Sequence, residues 1–331
     1  MATVVSTGRD AVGAGHQAFA RDGVAGRLTP GWLTPGWLTR GWLTQRRYLG
    51  WHPGRMCGRY ATARDPADLI EEFGVDRAVW EERFSKAGVP EDGSPEQGLP
   101  PNYNVAPTDE VYAVVERIDK QQPSAPPQRQ LRVVRWGLVP SWARDRKIAS
   151  KLINARVETL TEKPAFRKAF AVRRCLLPAD GYYEWYTDDA TDGAADKPGG
   201  KTRKQPYFIR GRGGGILPMA GLYEFWRDPH AEPDVDPWLW SATVITTEAT
   251  DDVGRIHDRM PMLVEPQNWA RWLDPREDDT DAIAHLLVPA AAGRLEAYPV
   301  STEVNDVRND GPQLIEPISV SHDAVNAHSD G

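Results

Sequence analysis

Residues 173–185 read Arg-Arg-Cys-Leu-Leu-Pro-Ala-Asp-Gly-Tyr-Tyr-Glu-Trp. From Cys175 to Tyr186 the run is dense in apolar and aromatic side chains, the texture of a buried extended strand. The same texture returns at Pro206–Arg210, Ile216–Trp226 and Trp240–Thr247, and it precedes the run at Val111–Arg117 and Leu131–Val139. Gly211–Gly215 reads as a hairpin loop joining two of these strands, and Leu295–Ser301 as a last strand. Helical stretches are short: Asp65–Phe73, with Asp65 as N-cap and Pro66 at the first helical position, then Glu162–Ala171, Gln267–Leu273 and Thr280–Leu287. Strands outnumber helices and do not alternate with them. This predicts an α+β fold, a mostly antiparallel β-sheet curled into a barrel-like core with short peripheral helices.

Composition excludes several classes. No run approaches ~18 apolar residues, so no membrane partner is expected. Two cysteines, Cys57 and Cys175, cannot build a disulfide framework or a cysteine zinc site, which favours a reducing cytoplasm. Histidines and carboxylates never recur at metal spacing, so no metal is expected. Gly199-Gly200-Lys201-Thr202 has the ending of a phosphate-binding loop, but position 195 is Ala, no apolar strand precedes it and Pro206 stops a helix from following. It reads as a charged surface loop, and no small-molecule cofactor is expected.

Charge is uneven. The net charge is −7, yet residues 1–55 carry seven Arg and two Asp, leaving about −12 on residues 56–331. Within that acidic remainder, Trp142–Arg174 holds ten Lys/Arg and three Asp/Glu. Such a tract is either a solvated face or a contact for a phosphate backbone.

Residues 28–45, LTPGWLTPGWLTRGWLTQ, repeat every five residues with Trp32, Trp37 and Trp42 in phase. A period of five fits neither helix nor strand, and no hydrophobic h-region marks a secretory signal. Residues 1–55 are read as a disordered arm or, preferably, as sequence upstream of a true start at Met56. Residues 56–317 then form one domain, and 318–331 a disordered tail.

Four stretches place polar groups in apolar surroundings: Cys57-Gly58-Arg59-Tyr60, Asn154-Ala155-Arg156-Val157-Glu158, Ala179–Trp185 around Glu184, and Ile256–Pro261 around His257. Singly, each has a structural explanation: a buried thiol, a turn asparagine, a paired glutamate, a packed histidine. Together with other segments they form an ordered series. It runs MCGRY (56–60), NYNVAPT (102–108), RWGLVPSW (135–142), INARVET (153–159), RRCLLPADGYYEW (173–185), MAGLYEFW (219–226), IHDRMP (256–261) and WLDP (272–275). The series resembles the SOS-response-associated peptidase (SRAP) family, whose members crosslink themselves to abasic sites in single-stranded DNA.

That resemblance implies specific roles. Cys57 becomes the N-terminus and acts as a 1,2-aminothiol, whose amine, with a pKa near ~7.7–8.0, attacks the aldehyde of a ring-opened abasic site. The thiol then closes a thiazolidine. Asn154 holds the sugar and the amine, Glu184 is the general acid/base, and His257 assists ring opening. Arg59, Arg156 and Arg259 are implied phosphate ligands, and Pro107 and Trp142 pack against splayed bases. The implied protein is a DNA-repair enzyme with crosslinking, lyase-type chemistry, a monomer in the cytoplasm that joins the nucleoid when bound. The alternative is a cysteine-dependent autopeptidase, a hydrolase, that removes its own leader before Cys57.

Overall fold

The computed structural model describes residues 58–79, 98–187, 204–232, 236–250 and 253–319. Cys57, the Trp repeat and Gly199–Thr202 lie outside the described residues. The chain divides into two units, residues 1–52 and 53–331, and every described residue belongs to the second.

Five strands form the core: β4 (Glu110–Arg117), β5 (Gln128–Trp136), β7 (Arg174–Ala179), β10 (Leu217–Arg227) and β11 (Trp238–Glu248). They follow one another antiparallel in the order β11-β10-β7-β4-β5. β5 then pairs in parallel with β11, Arg135 opposite Ser241 and Trp136 opposite Ala242, and the ring closes. The expected barrel is therefore a closed five-stranded one. Alternate residues point inward, so Val111, Val134, Cys175, Met219 and Ala242 fill the interior. At Gly221 the filling is tight: a Cβ there would lie 2.9 Å from Cys175 Sγ and 3.0 Å from Thr243 O.

The opposite faces of the same strands carry Val114, Leu131, Leu176 and Leu222, which pack under helices. These are α1 (Pro66–Phe73), α2 (Arg167–Val172), α4 (Trp269–Leu273) and α5 (Thr280–Ala284), with α3 (Val253–Ile256) elsewhere. Asp65 caps α1 as expected, its carboxylate accepting from Ala67 N at 2.8 Å. Gly74 ends that helix in the left-handed conformation. α2 is shorter than the expected Glu162–Ala171, because Pro164 biases the residue before it away from helical geometry.

Three short strands extend the ring. β2 (Arg77–Val79) pairs with β5 and β6 (Asn154–Arg156) with β11, both in parallel. β12 (Arg259–Pro261) pairs antiparallel with β11. The chain after it enters where β10 and β11 diverge: Met262 N donates to Ile245 O at 2.8 Å, and Ala220 N to Met262 O at 2.7 Å.

A second sheet roofs this mouth of the barrel. It runs β13-β9-β8-β1-β3, comprising β1 (Tyr60–Thr62), β3 (Asn102–Val105), β8 (Gly181–Thr187), β9 (Lys204–Gly211) and β13 (Leu295–Pro299). Tyr60, Tyr182 and Ile209 join the barrel core. Ala61, Tyr183 and Phe208 face the other way, under Val300, Val304 and Leu314.

Two expectations are corrected here. Cys175–Tyr186 is two strands in two sheets, not one. Asp180 makes the corner: its carboxylate accepts from Ala63 N at 2.6 Å and Arg64 Nε at 2.9 Å. Gly181 must follow it, since a Cβ there would lie 2.4 Å from the Phe208 ring and 2.6 Å from Ile209 O. Gly211–Gly215 is likewise no hairpin. β9 pairs with β8 and β13, and β10 with β7 and β11, so both edges of each strand are taken. The glycines, three of them at positive φ, carry the chain from roof to barrel. Among the described residues no helix is long and apolar enough to cross a membrane.

Candidate active site

Between the barrel mouth and its roof the structure brings Glu184 and His257 together. Glu184 lies on β8, two residues beyond Tyr182 and hence on the same face, only 2 % exposed. His257 follows α3, which packs against β8. Its Nε2 is 4.0 Å from Glu184 Oε2. The backbone N–H of Arg259 donates to His257 Nδ1 at 3.0 Å, so the neutral ring carries its proton on Nε2, the nitrogen that faces Glu184. Burial pushes the imidazole pKa below its ordinary value, opposed by the Asp258 carboxylate 3.1 Å from Nδ1. Near neutral pH the site therefore holds a neutral imidazole N–H facing a carboxyl group across a gap wider than a hydrogen bond.

The chain start of the roof leads to the same place. Arg59 O accepts from Tyr183 N at 3.0 Å, and Tyr60 stands opposite Tyr182. Continuing that antiparallel register sets Gly58 opposite Glu184. Arg59 itself is committed to the scaffold: its guanidinium donates to Asn104 Oδ1 at 2.6 Å and Val304 O at 2.9 Å. Burial lowers its pKa, with Asp109 the largest opposing influence.

Asn154 begins β6, half-buried, opposite Val244 of β11. β6 and β12 lie on opposite flanks of β11, so Asn154 and His257 approach from either side of that strand. Arg156, also half-buried, stands opposite Thr246. Arg259 is 7 % exposed and clamps Glu158 through two hydrogen bonds of 2.6 and 3.0 Å, with a third to Thr246 O at 2.7 Å. That pairing holds Glu158 well ionised, below the usual carboxylate range. Sequence reading left Glu158 without a role, for no local signal links residues 101 positions apart.

Pro107 occupies a tight turn between β3 and β4, closed by Asp109 N donating to Ala106 O at 3.1 Å. Asp109 also accepts from Ala106 N at 2.8 Å. Thr108 has φ of 82°, a strained conformation for a β-branched residue. Its N–H donates to Trp136 O, and the Trp136 ring meets Tyr60 edge-on at 4.9 Å. The turn thus abuts the roofed mouth. Trp142 stands out, 58 % exposed, on a loop held where Trp226 Nε1 donates to Ala143 O at 2.7 Å.

The basic tract divides. Arg144, Arg146, Lys147, Lys151, Lys163, Arg167 and Lys168 are exposed, whereas Arg173 and Arg174 are buried and serve the core. No group of three or more potential metal ligands occurs among the described residues.

A closed barrel is thus roofed by a second sheet, with a carboxyl group and an imidazole facing one another beneath the roof. The chain belongs to the SOS response associated peptidase (SRAP) family, whose model matches residues 56–307. It is 37 % identical over 261 residues to abasic site processing protein YoqW of Bacillus subtilis (strain 168), covering 79 % of this chain and 99 % of that protein. It is 32 % identical over 289 residues to abasic site processing protein HMCES of Gallus gallus, covering 80 % of this chain and 79 % of that one. A crystal structure of a Bacteroides thetaiotaomicron protein shares the fold at a TM-score of 0.59 and 23 % identity, covering 80 % of this chain and all of that one.

Proposed function

We propose that this protein processes abasic sites in single-stranded DNA by joining covalently to them through Cys57. The observation that carries the reading is the pairing of Tyr60 with Tyr182, whose register, continued by two residues, sets Gly58 opposite Glu184, with His257 4.0 Å from that carboxylate. Residue 57 is one peptide unit, about 3.8 Å between Cα atoms, from Gly58. The relatives named above as abasic site processing proteins support the substrate class.

The chemistry needs an amine and a thiol on one residue. The Cys57 α-amine forms a C–N bond to the aldehyde carbon of the opened sugar. Glu184 relays protons as the former carbonyl oxygen leaves as water, giving an imine. The thiolate adds to the imine carbon, and the thiol proton ends on the ring nitrogen. His257, neutral, is placed to donate from Nε2 to a sugar oxygen in the gap before Glu184. Asn154 fixes the sugar, while exposed Trp142 and Pro107 flank the displaced bases. Arg156 is proposed as a phosphate ligand. Arg59 and Arg259, already engaged, act by holding β1 and β12 in place or exchange partners when DNA binds. The step requires Cys57 at the chain start with residues 1–56 removed.

The test is protein beginning at Cys57, incubated with an abasic oligonucleotide and denatured. A heat-stable adduct is expected, and Cys57→Ser is expected to form none that survives heating. Equal heat-stable adduct from Cys57→Ser, or from the full 331-residue chain with its intact mass unchanged, would refute the thiazolidine.

The His257 geometry sets a pH dependence. Its folded pKa lies below the ordinary ~6.5, so the neutral ring persists from neutral pH to below that value. As pH falls through the folded pKa, Nδ1 takes a proton, can no longer accept from Arg259 N, and the ring loses the contact that orients it. Adduct rates are expected to fall on that acidic limb. His257→Gln should flatten whatever part of the limb belongs to this ring, and an unchanged profile would remove His257 from the reaction.

A further inference from the structure

At the mouth opposite the roof, the inward-facing side chains change character. The alternation that buries Val115, Val134 and Cys175 also turns Arg117, Arg132 and Arg173 toward the barrel end. They meet rings from β10 and β11. Tyr223 stacks on Trp240 at 5.5 Å and 10°, and Phe225 lies 6.0 Å from Trp238. The Arg132 guanidinium is 4.3 Å from the centre of Trp240, and that of Arg117 is 5.1 Å from Trp240 and 5.7 Å from Phe225.

Arg173 has a carboxylate, Glu224, at 2.8 Å. Arg117 makes no ion pair among the described residues; two aromatic rings hold it. A plug for a barrel needs only apolar side chains, whereas this half-buried cation is held by ring faces with no counter-charge beside it. This cation persists in a stretch with a net charge of about −12. At the adjoining hairpin tip Asp228 accepts from His230 N at 2.9 Å and Asp236 from Trp238 N at 3.0 Å, while Glu232 is exposed. Trp238, 44 % exposed, borders the cluster. The opposite face of the same hairpin holds the loop bearing Trp142, Arg144 and Lys147, through Trp226 and Ala143. Aromatic and basic groups thus run from that loop around the hairpin to the second mouth.

We propose that this second mouth binds a phosphodiester of the single strand that passes through the active site, with Arg117 and Arg132 on the phosphate and Trp238 against a neighbouring base. The inference rests on the DNA reading above. Guanidiniums oriented by rings, beside an exposed indole, match a single strand's alternation of phosphate and base.

The test compares wild type, Arg117→Gln and Trp238→Ala, each beginning at Cys57, on abasic oligonucleotides of about 5 and about 25 nucleotides. Arg117→Gln is expected to weaken long-strand affinity about 3–10-fold and to reduce the slope of log K against log salt by about 0.7, one phosphate on a single strand. Trp238→Ala is expected to weaken it about fivefold or more. Short-strand adduct yield should be unchanged for both. Wild-type affinity and salt slope on the long strand in both variants would overturn the proposal. So would a selective loss of binding to polyglutamate, which would assign the mouth to an acidic protein. Trp238 is exposed, so its variant reports even if Arg117→Gln melts early. Failure of wild type on the short strand would instead sink the DNA reading.

Discussion

Glu184→Gln is expected to slow adduct formation by about 10²–10⁴-fold, the usual worth of a positioned acid–base group. The substitution keeps the shape of a side chain only 2 % exposed and removes its capacity to take and return a proton. Two proton movements in the proposed sequence depend on it: departure of the carbonyl oxygen as water and delivery of the thiol proton to nitrogen. The roof should survive, since Glu184 adds no backbone bond to the β8–β9 ladder that Gln cannot keep, its partner there being Tyr207. Single-turnover crosslinking followed by denaturing gel gives the rate, and a melting curve separates lost chemistry from lost fold. A variant that melts like wild type and crosslinks within threefold of it would move the acid–base role elsewhere. His257→Gln is the informative companion. A double variant no slower than Glu184→Gln alone would show that the two groups act as one unit.

Glu184 and His257 stood out only as polar groups with apolar or aromatic neighbours, each with a structural explanation of its own, and it was the resemblance of the ordered motifs to the SRAP family that gave them roles. Their approach to 4.0 Å was not legible, because it depends on α3 packing against β8. Strand positions were legible from composition and periodicity. A barrel was expected from them, but the seam that closes it was not legible, since the parallel pairing of Trp136 with Ala242 joins distant segments that carry no mutual signal. The Asp180–Gly181 corner was hidden inside a continuous apolar run, where one polar residue and one glycine looked like a minor break. The glycine run at 211–215 misled in the other direction: turn chemistry declares that the chain turns, and which strands it joins is decided by edges occupied elsewhere. Charge was the least legible property. In the sequence Lys168 and Arg174 belong to one basic tract, yet one faces water and the other is enclosed.

That enclosed residue carries the other large effect: Arg174→Met is expected to destabilise the protein by roughly 3–5 kcal/mol. The guanidinium is 2 % exposed and donates to five carbonyl oxygens. Phe170 O at 2.9 Å and Ala171 O lie in the last turn of α2. Trp272 O at 2.6 Å and Asp274 O at 2.5 Å close α4, and Glu277 O at 2.9 Å follows. The last carbonyls of a helix have no partner within it, and the negative end of the helix dipole favours a cation there. One side chain thus satisfies two helix ends at once and ties both to β7, where Trp272 Nε1 also donates to Cys175 O at 2.9 Å. Burial pushes the Arg174 pKa down to about 10, still far above neutral, so the charge is present when the protein folds. Methionine fills much of the volume and supplies no donor, leaving five carbonyls facing one another in a dry site. At about 2–4 °C per kcal/mol for a domain of this size, the melting temperature should fall by about 10 °C. Arg174→Lys should fall in between, since three donors at a single point cannot span positions set for a planar fork. A methionine variant melting within about 2 °C of wild type would mean that water replaces the guanidinium at little cost, and that the two helix ends are held by packing around Phe170 and Trp272 instead.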